Sequence, residues 1–211
     1  MNTQIKPKLR GWLHAGTFPF AIAATVILLI FSPDNATRLA CLTFGIASSM
    51  LFGTSAVYHL GNWTERVSKT LRRADHSNIF LIIAGTYTPL AVTLLPKKEA
   101  IFLLVVVWVG AIAGLSARII WINAPRWVYV PIYIGLGWVA VAYLGKFYDA
   151  GGPAVMWLVI AGGLLYTVGA VIYALKRPNP WPNWFGFHEI FHSLTVLAFS
   201  CHVTAIMLAA I

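Results

Sequence analysis

Apolar runs alternate along the chain with short polar and basic stretches, at roughly residues 17–32, 37–60, 77–95, 100–118, 127–144, 153–175 and 187–211. A helix crossing a hydrocarbon core of ~30 Å needs ~20 apolar residues, with ~17 to 25 tolerated, and seven runs come near that length. The first is short, so its helix is expected to start nearer Trp12. Backbone groups in lipid must be satisfied internally, so the pattern predicts an all-α fold, a seven-transmembrane helix bundle. No internal repeat, low-complexity tract or long linker divides the chain, which predicts one domain over residues 1–211. The N-terminal basic and apolar stretch has the outline of a signal peptide. No A-x-A-like site closes it, so a retained first helix is expected.

Composition agrees with the pattern. The chain is 59% hydrophobic and 10% charged with mean hydropathy +0.78, outside the range of a soluble domain. A net charge of +9 would suggest nucleic acid in a soluble protein. Here the basic residues fall in loops beside lipid headgroups, and no nucleic-acid partner is expected. Eleven Lys and Arg lie on one side of the predicted topology: Lys6, Lys8, Arg10, Arg66, Lys69, Arg72, Arg73, Arg118, Arg126, Lys176 and Arg177. The other side holds four: Arg38, Lys97, Lys98 and Lys146. The positive-inside rule therefore puts the N-terminus in the cytoplasm and the C-terminus outside. Trp12, Trp63, Trp121, Trp127, Trp181 and Trp184 fall near span ends, as an interfacial belt requires. Cys41 and Cys201 lie inside apolar runs and support neither a disulfide framework nor a thiolate metal site. Gly110 and Gly114, in a G-x-x-x-G spacing, predict close helix contact, and Pro89 and Pro131 predict bends.

The informative residues are the ionisable ones in apolar surroundings, which are costly unless they face the bundle interior or water. His59 closes the second run, with Ser55 one turn deeper on the same face. Asp75 stands at the expected start of the third helix, and the seventh opens with "FHEIFHS", carrying His188 and His192. In the predicted topology these three stretches reach one membrane depth, at the cytoplasmic side. Residues i and i+4 share a helix face, so His188 and His192 can chelate one ion, with His59 as the third ligand. Three imidazoles leave the fourth tetrahedral position of Zn²⁺ open, as in a catalytic site. Imidazole alone does not exclude iron, copper or nickel. The competing reading is an interfacial histidine cluster. Ser55 and Asp75 are candidate catalytic residues beside the metal, and Asp75 is equally open to being a ligand. Glu189 points about 100° from His188 and is expected to serve the helix start. His202 is expected to be a hydrogen-bonded core residue, and His14 and His76 to be solvated near the interface.

The combination of "SAVYH" with Ser55 and His59, "ADHSNIFLIIAGTYTPL" near Asp75, and "HEIFH" resembles the bacterial hemolysin III branch of the progestin and adipoQ receptor (PAQR) family. That branch lies among membrane metal-dependent hydrolases that include the alkaline ceramidases. The resemblance implies a zinc site at the cytosolic side of a multi-pass plasma (inner) membrane protein, and hydrolysis of acyl-lipid amide or ester bonds. It also leaves open a non-enzymatic homeostasis, sensing or pore-forming, lytic role with a structural zinc. Receptor members carry E-x-x-N-x-x-x-H near the first helix. Here "KPKLRGWLH" puts Pro7 and Arg10 at those two places, which argues against adiponectin-type or steroid signalling.

Overall fold

A computed structural model describes residues 7–121 and 124–211; Lys6, one of the counted basic residues, lies outside them. Among the described residues seven α-helices follow one another: α1 Trp12–Phe31, α2 Asn35–Leu60, α3 Glu65–Leu94, α4 Lys97–Ile120, α5 Arg126–Gly137, α6 Leu144–Leu175 and α7 Phe187–Ala210. A 3-10 turn, Trp138–Tyr143, joins α5 to α6. There is no strand among the described residues, only one bridge between Trp181 and Phe185.

Among the described residues six segments are long and apolar enough to cross a membrane, and this corrects the expectation of seven separate spans. Helical backbone runs through "GKFYDAGG", merging the expected 127–144 and 153–175 into one segment of 50 residues, Arg126–Leu175. That segment is not straight. Gly152 takes φ 78°, outside helical space, immediately before Pro153. Beyond it the chain doubles back: the Trp138 indole donates to Thr167 Oγ1 at 2.9 Å, and the Arg126 guanidinium lies 4.1 Å from the Tyr173 ring.

The 3-10 turn has an identifiable cause. The Tyr87 hydroxyl of α3 accepts from Ala140 N and donates to Gly137 O, both at 2.6 Å. A side chain inserted into the i→i−4 ladder diverts its bonds and breaks the regular helix. Tyr87 thus locks α3 to the hairpin.

α3 is the central helix, with 67% of its most apolar stretch buried against 17% for α1, whose outer face carries exposed Phe20, Ile22, Ile30 and Phe31. It starts at Glu65 rather than 77. Thr64 caps it through Val67 N, and Lys69 pairs with Glu65 at 2.6 Å, so polar residues that hydropathy excludes still propagate a helix. Asp75 therefore lies in the third turn, not at the helix entrance. Gly114 of α4 admits Phe80 of α3 so closely that a Cβ would stand 2.2 Å from that ring, which bears out the expected close contact. The six tryptophans of the expected belt, Trp12, Trp63, Trp121, Trp127, Trp181 and Trp184, are all exposed near helix ends.

Candidate metal centre

The end of the bundle where α2 stops and α3 and α7 begin carries the histidines. Gly61 ends α2 just after His59, and Glu189 starts α7 by accepting from Gly186 N at 2.8 Å. The other Glu189 oxygen takes the Arg10 guanidinium at 2.7 Å, with the glutamate fully buried. Glu189 is thus the helix-start acid expected of it and also ties the N-terminal segment to α7. Lys8 N donates to Asn183 O at 3.0 Å and Leu9 N to Trp184 O at 3.4 Å, extending that tie along the α6–α7 loop. Gly11, at φ 91°, then turns the chain into α1 so tightly that a Cβ there would lie 2.8 Å from the His59 Cβ.

These constraints bring His59, His188 and His192 together: one ligand atom from each lies within 4.8 Å of the others. Nε2 of His59 and Nε2 of His188 are 3.3 Å apart. Two nitrogens at ~2.05 Å from a tetrahedral ion stand about 3.3 Å from each other, so the pair fits a shared ion. It also fits an N–H···N bond between neutral rings. His192 Nδ1 is buried and has no hydrogen-bond partner among the described residues, an orphaned nitrogen on one of the three rings that meet here. The three side chains could therefore hold a metal. Imidazole nitrogens suit zinc, copper, iron or nickel, and the donor set does not choose among them.

Asp75 is buried with Oδ2 3.7 Å from His59 Nε2, beyond hydrogen-bond length. Ser55, 1% exposed, faces the same carboxyl, and its hydroxyl makes no hydrogen bond of normal geometry. Both line a cavity of about 130 Å³ shared with His188 and His192. From the histidines it runs past Ile79, Ile83, Val130 and Ile134 to Leu144 and Phe147. His188 and His202, both in its wall, are 14 residues apart on α7, about 21 Å along the axis. The wall is overwhelmingly apolar; His14, Asp75, His188 and His192 line one end, while His202 and Tyr166 stand far along it.

Three expectations fail here, for His14, His76 and Arg118. His14 is 2% exposed rather than solvated, stacked on His192 with centroids 3.8 Å apart and planes 13° apart, and neither of its nitrogens has a hydrogen-bond partner among the described residues. His76 is also buried: Nδ1 meets Arg118 Nη2 at 2.9 Å and Nε2 meets the Tyr173 hydroxyl at 3.2 Å. Arg118, counted from sequence as a loop charge, is 3% exposed in the last turn of α4. His202 is a core residue as expected, but it stacks on Tyr166 at 5.7 Å and its Nδ1 has no hydrogen-bond partner among the described residues. Nothing local in the sequence marks His14 or Arg118 as buried, since both lie near span ends.

Fold and site together define a multi-pass helical membrane protein with a histidine triad able to hold a metal. Residues 2–203 match the haemolysin-III related family, and this chain belongs to it, within the hemolysin III branch of the PAQR proteins. It is 31% identical over 180 residues to a hemolysin-3 homolog of Bacillus subtilis, covering 83% of this chain and 81% of that protein. Hemolysin-3 of Bacillus cereus is 31% identical over 160 residues, 74% of this chain and 73% of that protein. A shorter match, 30% over 83 residues, is to the ADIPOR-like receptor IZH2 of Saccharomyces cerevisiae, covering 37% of this chain and 24% of that one.

Proposed function

We propose that this protein is a zinc-dependent hydrolase of acyl-lipid amide or ester bonds in the bacterial plasma (inner) membrane. The observation that carries the reading is the convergence of His59, His188 and His192 with Asp75 at one end of an apolar cavity. Zn²⁺, when bound, supplies a Lewis acid that polarises a carbonyl and acidifies water. The cavity holds the acyl chain and excludes bulk water from the reacting carbonyl. Asp75 accepts a proton from the attacking water and returns it to the leaving amine or alkoxide. Ser55 donates to the carbonyl oxygen as charge develops there. Water thus adds to the acyl carbon, the C–N or C–O bond breaks, and the leaving group carries away the proton.

The reading includes a single domain that crosses the bilayer seven times, with a cytoplasmic N-terminus. A straight helix of 50 residues would be about 75 Å long, more than twice the ~30 Å core, and the Arg126–Leu175 segment turns back at Gly152. Two passes from that segment support the eleven-to-four division of basic residues.

A second reading is a non-enzymatic membrane protein with a structural zinc, active in homeostasis, sensing or the lysis that the Bacillus cereus relative's name implies for that protein. It draws on Asp75, which is near enough to His59 to close the site as a fourth ligand.

Metal analysis by mass spectrometry of detergent-purified, folded protein tests the site. About one zinc per chain, lost in His59→Ala, His188→Ala and His192→Ala, is the expected result, and no metal after zinc loading rejects it. Asp75→Asn then separates the two readings. An enzyme keeps its zinc and loses acyl-lipid hydrolysis by at least about 100-fold, whereas a structural site loosens its metal and has no turnover to lose.

A further inference from the structure

An open cleft of about 620 Å³ lies beside the metal centre, where α5 begins and α6 ends. Arg72, Arg126 and Lys176 line it, and no Asp or Glu is among the described residues that line it. Arg126 is held in place: its guanidinium lies 4.1 Å from the Tyr173 ring and 5.6 Å from that of Phe187, and it donates to Tyr173 O. Tyr129 lines both this cleft and the apolar cavity. Tyr173, beneath Arg126, packs against His188 with centroids 5.7 Å apart. One aromatic layer therefore separates the cations from the histidines.

Retention of basic loops on one side of a membrane needs cations only somewhere in those loops. It does not require three of them to converge on one concave surface, nor a guanidinium pinned over two rings. Lys69 shows the ordinary case, exposed on α3 outside the cleft and paired with Glu65 at 2.6 Å. A fixed guanidinium presents planar donors that match phosphate oxygens, and lysine adds a point charge. Inorganic phosphate would satisfy the same donors. The adjoining apolar cavity favours a phosphate that carries a tail.

We infer that this cleft binds the phosphate headgroup of an anionic acyl lipid whose chain occupies the neighbouring cavity. The binding stands by itself; only the further step, that the bound lipid is the substrate, rests on the hydrolase reading.

The test uses the full chain in nanodiscs of mixed phosphatidylglycerol and phosphatidylcholine, extracted gently, with retained lipid identified by native mass spectrometry. Wild type is expected to retain phosphatidylglycerol preferentially. The preference should fall about fivefold for each cation removed, in Arg126→Gln and in the Arg72→Gln/Lys176→Gln double variant. Lys69→Gln should keep it. If Arg126→Gln does not fold, the double variant, whose two side chains are exposed, carries the test. Equal retention of both lipids by wild type, or the same loss in Lys69→Gln, overturns the proposal. Displacement of phosphatidylglycerol by inorganic phosphate, with phosphate binding alone, keeps an oxyanion site but overturns its assignment to lipid. Hydrolysis is scored separately on zinc-loaded protein. Preference without hydrolysis rejects the hydrolase reading and leaves the cleft, while hydrolysis without preference does the reverse.

Discussion

His14 and His192 form a parallel stack at 3.8 Å, and a ring packed in that way has little freedom to turn. His14 is not one of the three side chains that could hold the metal, so its expected effect on metal is through the orientation of His192. His14→Ala should weaken zinc binding about tenfold in a chelator competition. His14→Phe, which keeps a stacking face and removes both nitrogens, should restore most of that loss. Equal loss in both variants would instead assign the nitrogens a direct role. Gly11 constrains the same site through the backbone. Its left-handed φ and the 2.8 Å approach to His59 leave no room for a Cβ. Gly11→Ala is expected to lower both thermal stability and zinc affinity, because relief of the contact requires α1 to move away from His59.

Between elements, a few polar insertions and close approaches hold otherwise interchangeable apolar faces in register. Tyr87 replaces the Ala140 helix bond and satisfies Gly137 O, so Tyr87→Phe strands two backbone groups beside the cavity. A cost of about 1–3 kcal/mol is expected, read as a lower melting temperature in detergent. The loss would be smaller only if the 3-10 turn relaxed to regular helix, which hydrogen exchange over 138–143 would reveal. Gly114→Ala places a methyl 2.2 Å from the Phe80 ring and should cost about 1–3 kcal/mol by overpacking. Arg10→Ala removes the partner of a fully buried Glu189, with an expected loss of about 3 kcal/mol by the same measurement.

The whole molecule places its chemistry at one end, with an apolar cavity running inward and a cationic cleft alongside. The proposed topology makes a decisive prediction about the chain's termini. With seven crossings, a C-terminal epitope tag is digested by protease added outside the cell, and a tag at the N-terminus is protected. Protection of both tags would mean six crossings, with the Arg126–Leu175 segment crossing only once. Much of this organisation was legible in the residues: the helical class, most span positions, and the three histidines and Asp75 brought to a common end. The start of α3 was not, because hydropathy reports preference for lipid and is blind to a capped, ion-paired helix that continues into polar surroundings.

Hydrophobic periodicity and the cost of ionisable groups in lipid are local properties, so the sequence by itself determined a multi-pass helical protein and singled out His59, His188, His192 and Asp75. Which other polar groups are buried depends on the partners that packing supplies. Only the tertiary structure could decide that His14 lies on His192, that Arg118 reaches His76, and that Tyr87 opens the α5 ladder. The same holds for the hairpin at Gly152 and the convergence of Arg72, Arg126 and Lys176 on one cleft. Each joins residues from distant parts of the chain, and their distances are set by how helices cross and turn, which no single segment encodes.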